Sequence, residues 1–155
     1  MKYIRAIVSI AIAQCAGIIG SLFTTANIPT WYATLTLPAW NPPSWIFAPV
    51  WTTLYALMGV AAFIVWEQRR MDGRVPFALS VYGIQLVLNA AWSIIFFGMH
   101  NIGLALAELI VLDIFILITL VLFWRIRPIA GVLLLPYLTW ALFATYLNYT
   151  ILMLN

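Results

Sequence analysis

Residues 30–55 read TWYATLTLPAWNPPSWIFAPVWTTLY and decide the character of the chain. The stretch contains no charged residue, and its four tryptophans and four prolines are Trp31, Trp40, Trp45, Trp51, Pro38, Pro42, Pro43 and Pro49. Pro42 and Pro43 cannot lie inside a helix, because each lacks an N–H group and forces the preceding residue out of the α conformation. Tryptophan favours the membrane–water boundary. The pattern predicts a rigid, uncharged loop that either rims a site for a flat apolar ligand or anchors the protein at the membrane surface.

The composition around this stretch is that of an integral membrane protein. Hydrophobic residues make up 66% of the 155-residue chain and charged residues 7%, whereas a soluble domain carries about 25% charged residues. A single cysteine, Cys15, excludes an intrachain disulfide, and with a single histidine, His100, no metal site is predicted. The net charge of +3 comes from basic residues scattered between hydrophobic runs, so no nucleic-acid partner is predicted.

Hydrophobic runs outside the stretch predict an all-α membrane protein, a bundle of five transmembrane helices in one domain over residues 1–155. The spans are predicted at about 3–23, 45–66, 76–97, 103–124 and 129–152, with a long loop at 24–44. Each span is close to the ~20 residues that a bilayer requires. The first run exceeds the ~7–15 apolar residues of a signal peptide, so we expect a retained helix.

Basic residues predict the orientation of the five spans. Every Lys and Arg falls on one side, at Lys2, Arg5, Arg69, Arg70, Arg74, Arg125 and Arg127. The positive-inside rule therefore places the N-terminus in the cytoplasm and the long loop outside.

Small residues on two spans predict close helix packing. Ala13, Gly17 and Ser21 repeat every four residues on the first span, where packing against another helix is favoured over ligand contact. Gly83 on the third span offers a shallow groove for a partner helix, as do the small residues of the first span, and we expect a homodimer through one of these two faces.

Two acidic residues, Glu108 and Asp113, lie in the fourth span without a Lys or Arg at their depth. They point about 140° apart on a helix, so they do not form a dyad. A charge near mid-span costs roughly 2.5–3.5 kcal/mol on insertion scales. A proton or ion relay is one interpretation, but interhelical hydrogen bonding is favoured; the candidate partners of Asp113 are Gln14, Gln85, Asn89, Thr119, Asn148 and several tyrosines.

The fifth span carries a tryptophan away from its ends. Trp140, Ala144 and Leu147 share one helix face, which could form one wall of a flat pocket. Pro136 would let the helix bend around it. His100 lies in a turn and is predicted to be a surface residue in preference to a haem ligand.

The motifs WNPPSW (40–45) and PVWTTLY (49–55) resemble the signature of the tryptophan-rich sensory protein and translocator protein family, which includes the peripheral benzodiazepine receptor. The segments QLVLNAAW (85–92) and LPYLTW (135–140) resemble its third and fifth spans. The resemblance implies a five-helix bundle, commonly dimeric, with a pocket open toward the long loop. It also implies binding of porphyrins such as protoporphyrin IX and haem, of cholesterol-like lipids and of synthetic benzodiazepine-site ligands.

The resemblance further implies which residues would line the pocket. Trp51 and Trp140 match two tryptophans tied to porphyrin chemistry, and Phe47, Ala48, Asn89, Trp92, Ala144 and Leu147 match other ligand contacts. Trp40 and Trp45 are predicted as additional stacking faces. Leu147 and Tyr149 lack the following Lys or Arg of a cholesterol-type motif, so that motif is incomplete.

We therefore expect a porphyrin- and lipid-binding membrane protein that transports or regulates tetrapyrroles and acts in stress response, without an obligatory cofactor, in a bacterial cytoplasmic membrane. One alternative is an enzyme that degrades protoporphyrin in light, using Trp51 and Trp140. The other is a structural or lipid-handling membrane protein whose aromatic residues are anchors only.

Overall fold

Five helical stretches cross the bundle in the computed structural model, which describes residues 2–155. The stretches long and apolar enough to span a membrane are Tyr3–Asn27, Ser44–Trp66, Val75–Gly98, Ile102–Ile126 and Pro128–Leu154. The helices within them are α1 (Lys2–Asn27), α2 (Phe47–Trp66), α3 (Val75–Ser93), α4 (Ile102–Ile126), α5 (Pro128–Val132) and α6 (Leu135–Leu154). The prediction of an all-α, five-span membrane protein is confirmed.

Helix α1 continues a full turn beyond the predicted end at residue 23. Thr24, Thr25 and Asn27 donate side-chain hydrogen bonds to carbonyls four residues earlier, at 3.1, 2.7 and 2.9 Å. These bonds satisfy the polar groups of side chains that otherwise favour turns. The first proline, which would end the helix, comes only at Pro29. The long loop is correspondingly shorter, from residue 28 to the 3₁₀ turn Ser44–Ile46 that leads into α2.

Two other spans are interrupted near their ends. Helix α3 passes into a π turn at Ile94–Gly98, and His100 follows with a positive φ of 53°. The fifth span breaks between α5 and α6 at Leu133–Leu134. Pro136 lies just after this break, in the first turn of α6, where its missing N–H group costs nothing.

Glycine allows α1 to lie directly against α2. A Cβ atom on Gly59 would come 2.5 Å from the Cα atom of Ile10, and one on Gly17 would overlap the ring of Tyr55. Ser9 also donates a hydrogen bond to the Gly59 carbonyl at 2.8 Å. The helix packing predicted for the small residues of the first span is present at Gly17, which contacts Tyr55 of α2. Gly17 and Ser21 also line the cavity described below, so packing is not their only role.

The described arginines lie together at one end of the bundle, called the arginine end below. Arg5 and Arg69 reach the Glu67 carboxylate at 3.1 and 3.7 Å. Arg74 pairs with Asp72 at 2.7 Å and donates to the carbonyl of Arg125 at 3.1 Å. The side chain of Lys2, predicted on the same side, lies outside the described part of the chain. The opposite end, which carries the loop, is called the loop end.

Asp113 joins two spans through a hydrogen bond from an uncharged side chain. Its Oδ2 atom accepts from the Thr145 hydroxyl at 2.6 Å, which ties α4 to α6. This geometry agrees with interhelical hydrogen bonding, but the partner is Thr145 and none of the residues named from the sequence. Both carboxylate oxygens of Glu108 are buried and have no hydrogen-bond partner among residues 2–155.

Candidate functional site

A cavity of about 390 Å³ lies between the helices in the loop-end half of the bundle. Its walls come from α1, α2, α3 with the π turn, and α6, and residues of the loop cover it. Its volume falls within the ~300–1,000 Å³ of small-molecule sites. Helix α4 packs behind α3 and α6 and contributes no residue to the described lining.

Eight of the ten ligand-contacting residues predicted from the sequence line this cavity. They are Phe47, Ala48, Trp51, Asn89, Trp92, Trp140, Ala144 and Leu147. These residues come from three spans, and the bundle brings them to one space.

The two remaining predicted contacts, Trp40 and Trp45, lie outside the lining. Trp40 stacks on Tyr146 with ring centroids 5.3 Å apart and planes at 12°, on the outside of α6. Trp45 is 73% exposed. Both were predicted as stacking faces for the ligand, and the structure does not place either ring in the cavity, because residue type alone does not determine the side of a loop on which a ring lies.

Aromatic rings form the larger faces of the cavity. Trp51 packs against Tyr55 and Tyr137, with centroids 5.7 and 6.3 Å apart. On the opposite helix, Trp140 packs against Phe47 at 6.2 Å and Phe143 at 5.3 Å. These edge-on and tilted contacts hold the indoles in fixed orientations, which gives the cavity flat apolar walls.

Neutral hydrogen bonds close the inner floor of the cavity. The Tyr55 hydroxyl donates to Oδ1 of Asn89, and Nδ2 of Asn89 donates to the Tyr137 hydroxyl at 2.9 Å. All three side chains are buried. The sequence analysis named Asn89 and missed Tyr55 and Tyr137. The four-residue spacing from Trp51 to Tyr55 was the signal that could have found the former.

A second polar link fixes the wall on the α6 side. The indole N–H of Trp92 donates to Oδ1 of Asn148 at 3.2 Å, and Nδ2 of Asn148 donates to the Ile102 carbonyl at 3.0 Å. Asn148 also lines the cavity and was missed. By contrast, the buried indole N–H of Trp140 has no acceptor within residues 2–155.

The loop is attached to the helices at several points. Asn155, at the end of α6, accepts from the Thr36 N–H at 2.8 Å and donates to the Thr36 carbonyl at 3.0 Å. Tyr32 is buried against Phe96 and Phe97 and donates to Oδ1 of Asn41 at 2.9 Å. Burial raises the pKa of the Tyr32 phenol, and the Asn41 hydrogen bond opposes this. The loop is thus a fixed cover over the cavity.

His100 belongs to this cover and does not line the cavity. Its ring stacks on Trp31 with centroids 4.4 Å apart and planes at 16°. Its Nε2 atom lies 3.0 Å from Oδ1 of Asn27. The side chain is exposed, as predicted, and occupied by contacts at the loop end.

Every described residue that lines the cavity is uncharged. Trp51, Trp92 and Trp140 surround an apolar space whose polar groups are mostly bonded to one another. An uncharged space with tryptophan on three sides matches what the signature motifs imply, and comparison with known sequences decides the family. The TspO/MBR family model matches residues 9–154. The chain belongs to the TspO/MBR family.

Relatives in this family are similar over most of the chain. The Tryptophan-rich protein TspO of Chlorobaculum tepidum is 42% identical over 94% of this chain and 92% of its own length. The Translocator protein of Homo sapiens is 40% identical over 86% of this chain and 79% of its own. Protein CrtK of Rhodobacter capsulatus is 33% identical over 91% and 86%. The protein is therefore an integral multi-pass membrane protein of the TspO/MBR family.

Proposed function

We propose that the cavity binds porphyrins such as protoporphyrin IX and haem, and also cholesterol-like lipids. In this proposal the protein transports tetrapyrroles or regulates their use, and takes part in stress response, as a homodimer in a bacterial cytoplasmic membrane. The observation that carries the proposal is the uncharged cavity with Trp51, Trp92 and Trp140 on three of its helices. The name Translocator protein of the human relative agrees with a transport role.

The chemistry of the lining favours the macrocycle itself as the recognised group. A flat ring stacks on indole faces, each of which contributes roughly 0.5–1.5 kcal/mol beyond burial. No described lining residue is His, Cys or Met, and the hydroxyls of the two lining tyrosines, Tyr32 and Tyr55, already donate to Asn41 and Asn89. None of them is therefore a ready axial ligand for the metal of haem. We therefore expect metal-free protoporphyrin to bind about as tightly as haem, with its carboxylates directed toward water.

Quenching of tryptophan fluorescence by protoporphyrin, with the protein in nanodiscs, tests the binding proposal. Trp51→Phe and Trp140→Phe keep a ring of similar shape, so each should weaken the affinity by about tenfold at most. Quenching that does not saturate in the wild-type protein would refute the proposal.

A second candidate function is light-dependent oxidative degradation of protoporphyrin. The specific observation in its favour is that Trp51 and Trp140, both oxidisable rings, lie in the same cavity. At saturating protoporphyrin under light, the double variant Trp51→Phe/Trp140→Phe should lose degradation while it still binds. Undiminished degradation at full occupancy would remove both residues from the chemistry.

A further inference from the structure

We propose that the cavity opens sideways into the bilayer through a slit between α1 and α2, and that an apolar ligand enters and leaves through this slit and not through the loop. The inference deepens the proposed function, on which it rests for the identity of the ligand. The slit itself is defined by the geometry of the two helices, and passage through it can be measured without a porphyrin.

The residues that border the slit line the cavity and are also exposed. On α1 they are Ile18, Ser21 and Thr25, and at the start of the second span they are Ser44, Ala48 and Thr52. All six line the cavity, and all six are nevertheless exposed. Their spacings of three or four residues place each set along one face of its helix. Residues that line a cavity and also face outward form the edge of an opening.

The same pair of helices is sealed toward the arginine end. Nε2 of Gln14 donates to the Thr52 carbonyl at 2.9 Å, and the Tyr55 ring lies on Gly17. Further along, Ser9 bonds to the Gly59 carbonyl at 2.8 Å. The contact between α1 and α2 is therefore closed from Gln14 toward the arginine end, and it is open beside the cavity.

The position of the opening directs it toward lipid. Ile19 and Leu22, the neighbours of the rim on α1, are exposed hydrophobic residues, and α1 is a membrane span. On a span of this composition such a surface contacts acyl chains. The slit thus faces the half of the bilayer nearer the loop end.

The rim is suited to the passage of apolar molecules. The hydroxyls of Ser21, Thr25 and Thr52 donate to carbonyls of their own helices at 2.8, 2.7 and 2.8 Å. Because their donors are already bonded, these residues offer little that would hold a passing ligand or require water. The rim carries no charge. A planar, uncharged or weakly amphipathic molecule dissolved in the acyl chains fits this chemistry.

The alternative route through the loop requires contacts to break. The two hydrogen bonds between Asn155 and Thr36, the Trp31–His100 stack and the burial of Tyr32 all hold the cover in place. The slit needs none of these contacts to open.

A thiol inside the cavity reports on the route directly. Ala144 lines the cavity, so Ala144→Cys places a thiol inside it, and Cys15→Ser removes the native thiol. The double variant is reconstituted in liposomes. Two probes are compared, a pyrene maleimide that partitions into the bilayer and a sulfonated, membrane-impermeant maleimide added to the water. We expect the lipid-soluble reagent to label the cavity thiol at least tenfold faster than the sulfonated one.

Bulky side chains on the rim identify the opening. Ser21→Trp should slow labelling by the pyrene reagent at least tenfold, and Ala48→Trp on the facing helix should do the same. Leu22→Trp, on the same turn of α1 but outside the lining, should change the rate less than twofold. If one rim variant fails to fold, as seen by size exclusion, the other carries the test.

Three results would overturn the inference: equal labelling by both reagents, no labelling by either, or a pyrene rate that neither rim variant changes. These results differ from failure of the proposed function, which would appear as a labelled, accessible cavity that does not bind protoporphyrin.

Discussion

Asn89 holds the floor of the cavity together, because its amide is bonded to the hydroxyls of both Tyr55 and Tyr137. Asn89→Leu would leave two buried hydroxyls without this partner, and an unsatisfied buried group costs about 1–3 kcal/mol. We expect a clear loss of thermal stability in detergent, which circular dichroism would measure as a lower melting temperature.

A triple variant provides the control for this loss. Adding Tyr55→Phe and Tyr137→Phe to Asn89→Leu removes the stranded hydroxyls, so much of the stability should return. If the triple variant is less stable than Asn89→Leu alone, the trio is not held by these hydrogen bonds.

Asp72 should show a depressed pKa at the arginine end. Hydrogen bonds from the Arg74 side chain and backbone lower the pKa of this carboxyl from 3.8 to about 2. Because the folded pKa lies below the unfolded one, the pair's contribution to stability is present above about pH 4 and is lost as the pH falls toward 2. Carboxyl-carbon NMR should find the low pKa in the wild type and a value nearer 3.8 in Arg74→Gln; an equal pKa in both would contradict the pairing.

Among the helices, α6 carries the link between the cavity wall and its cover. Asn155→Ala removes both hydrogen bonds to Thr36, so amide hydrogen exchange at Thr36 should accelerate severalfold. Leu154→Ala, an exposed neighbour, should leave that rate unchanged. Equal exchange in wild type and Asn155→Ala would show that the loop is held by its aromatic contacts alone.

Two substitutions test whether Asp113 serves only to hold α4 to α6. Thr145→Val removes the hydroxyl that donates to its carboxylate and should destabilise the fold by about 0.5–1.5 kcal/mol. Asp113→Asn keeps an acceptor for Thr145, so stability and protoporphyrin binding should persist. Loss of ligand movement in Asp113→Asn, with binding intact, would favour the ion-relay interpretation.

The number of helices was predictable from the sequence, whereas the residues that face the cavity were predictable only in part. The lengths of the apolar runs and the prolines predicted five spans, and motif positions such as Trp51 and Trp140 predicted eight of the residues that line the cavity, all on the second, third and fifth spans. The wall that α1 contributes was not predicted, because its small residues were interpreted as helix-packing positions. The end of α1 was missed because Thr24 and Asn27 bond back to the helix instead of starting the loop. Trp40 was misplaced because a loop has no periodicity from which to read a direction.

For the whole protein, open space beside Gly83 leaves room for the partner helix of the proposed homodimer. A Cβ atom there would meet nothing within 4 Å, whereas one on Gly17 would strike Tyr55. Gly83→Leu should therefore give a folded monomer, detected by crosslinking in liposomes, while Gly17→Leu should lower thermal stability. A Gly83→Leu protein that remains dimeric would exclude the third span as the interface.

The central claim, that a tetrapyrrole occupies the space between the helices, is tested most directly by filling that space. Ala144 lines the cavity, and Leu142, two residues earlier on α6, is exposed on the outside. The measurement is the equilibrium affinity for protoporphyrin in nanodiscs. We predict that Ala144→Phe weakens binding at least tenfold while Leu142→Phe changes it less than twofold. Equal affinity in Ala144→Phe and the wild type would show that the porphyrin binds elsewhere.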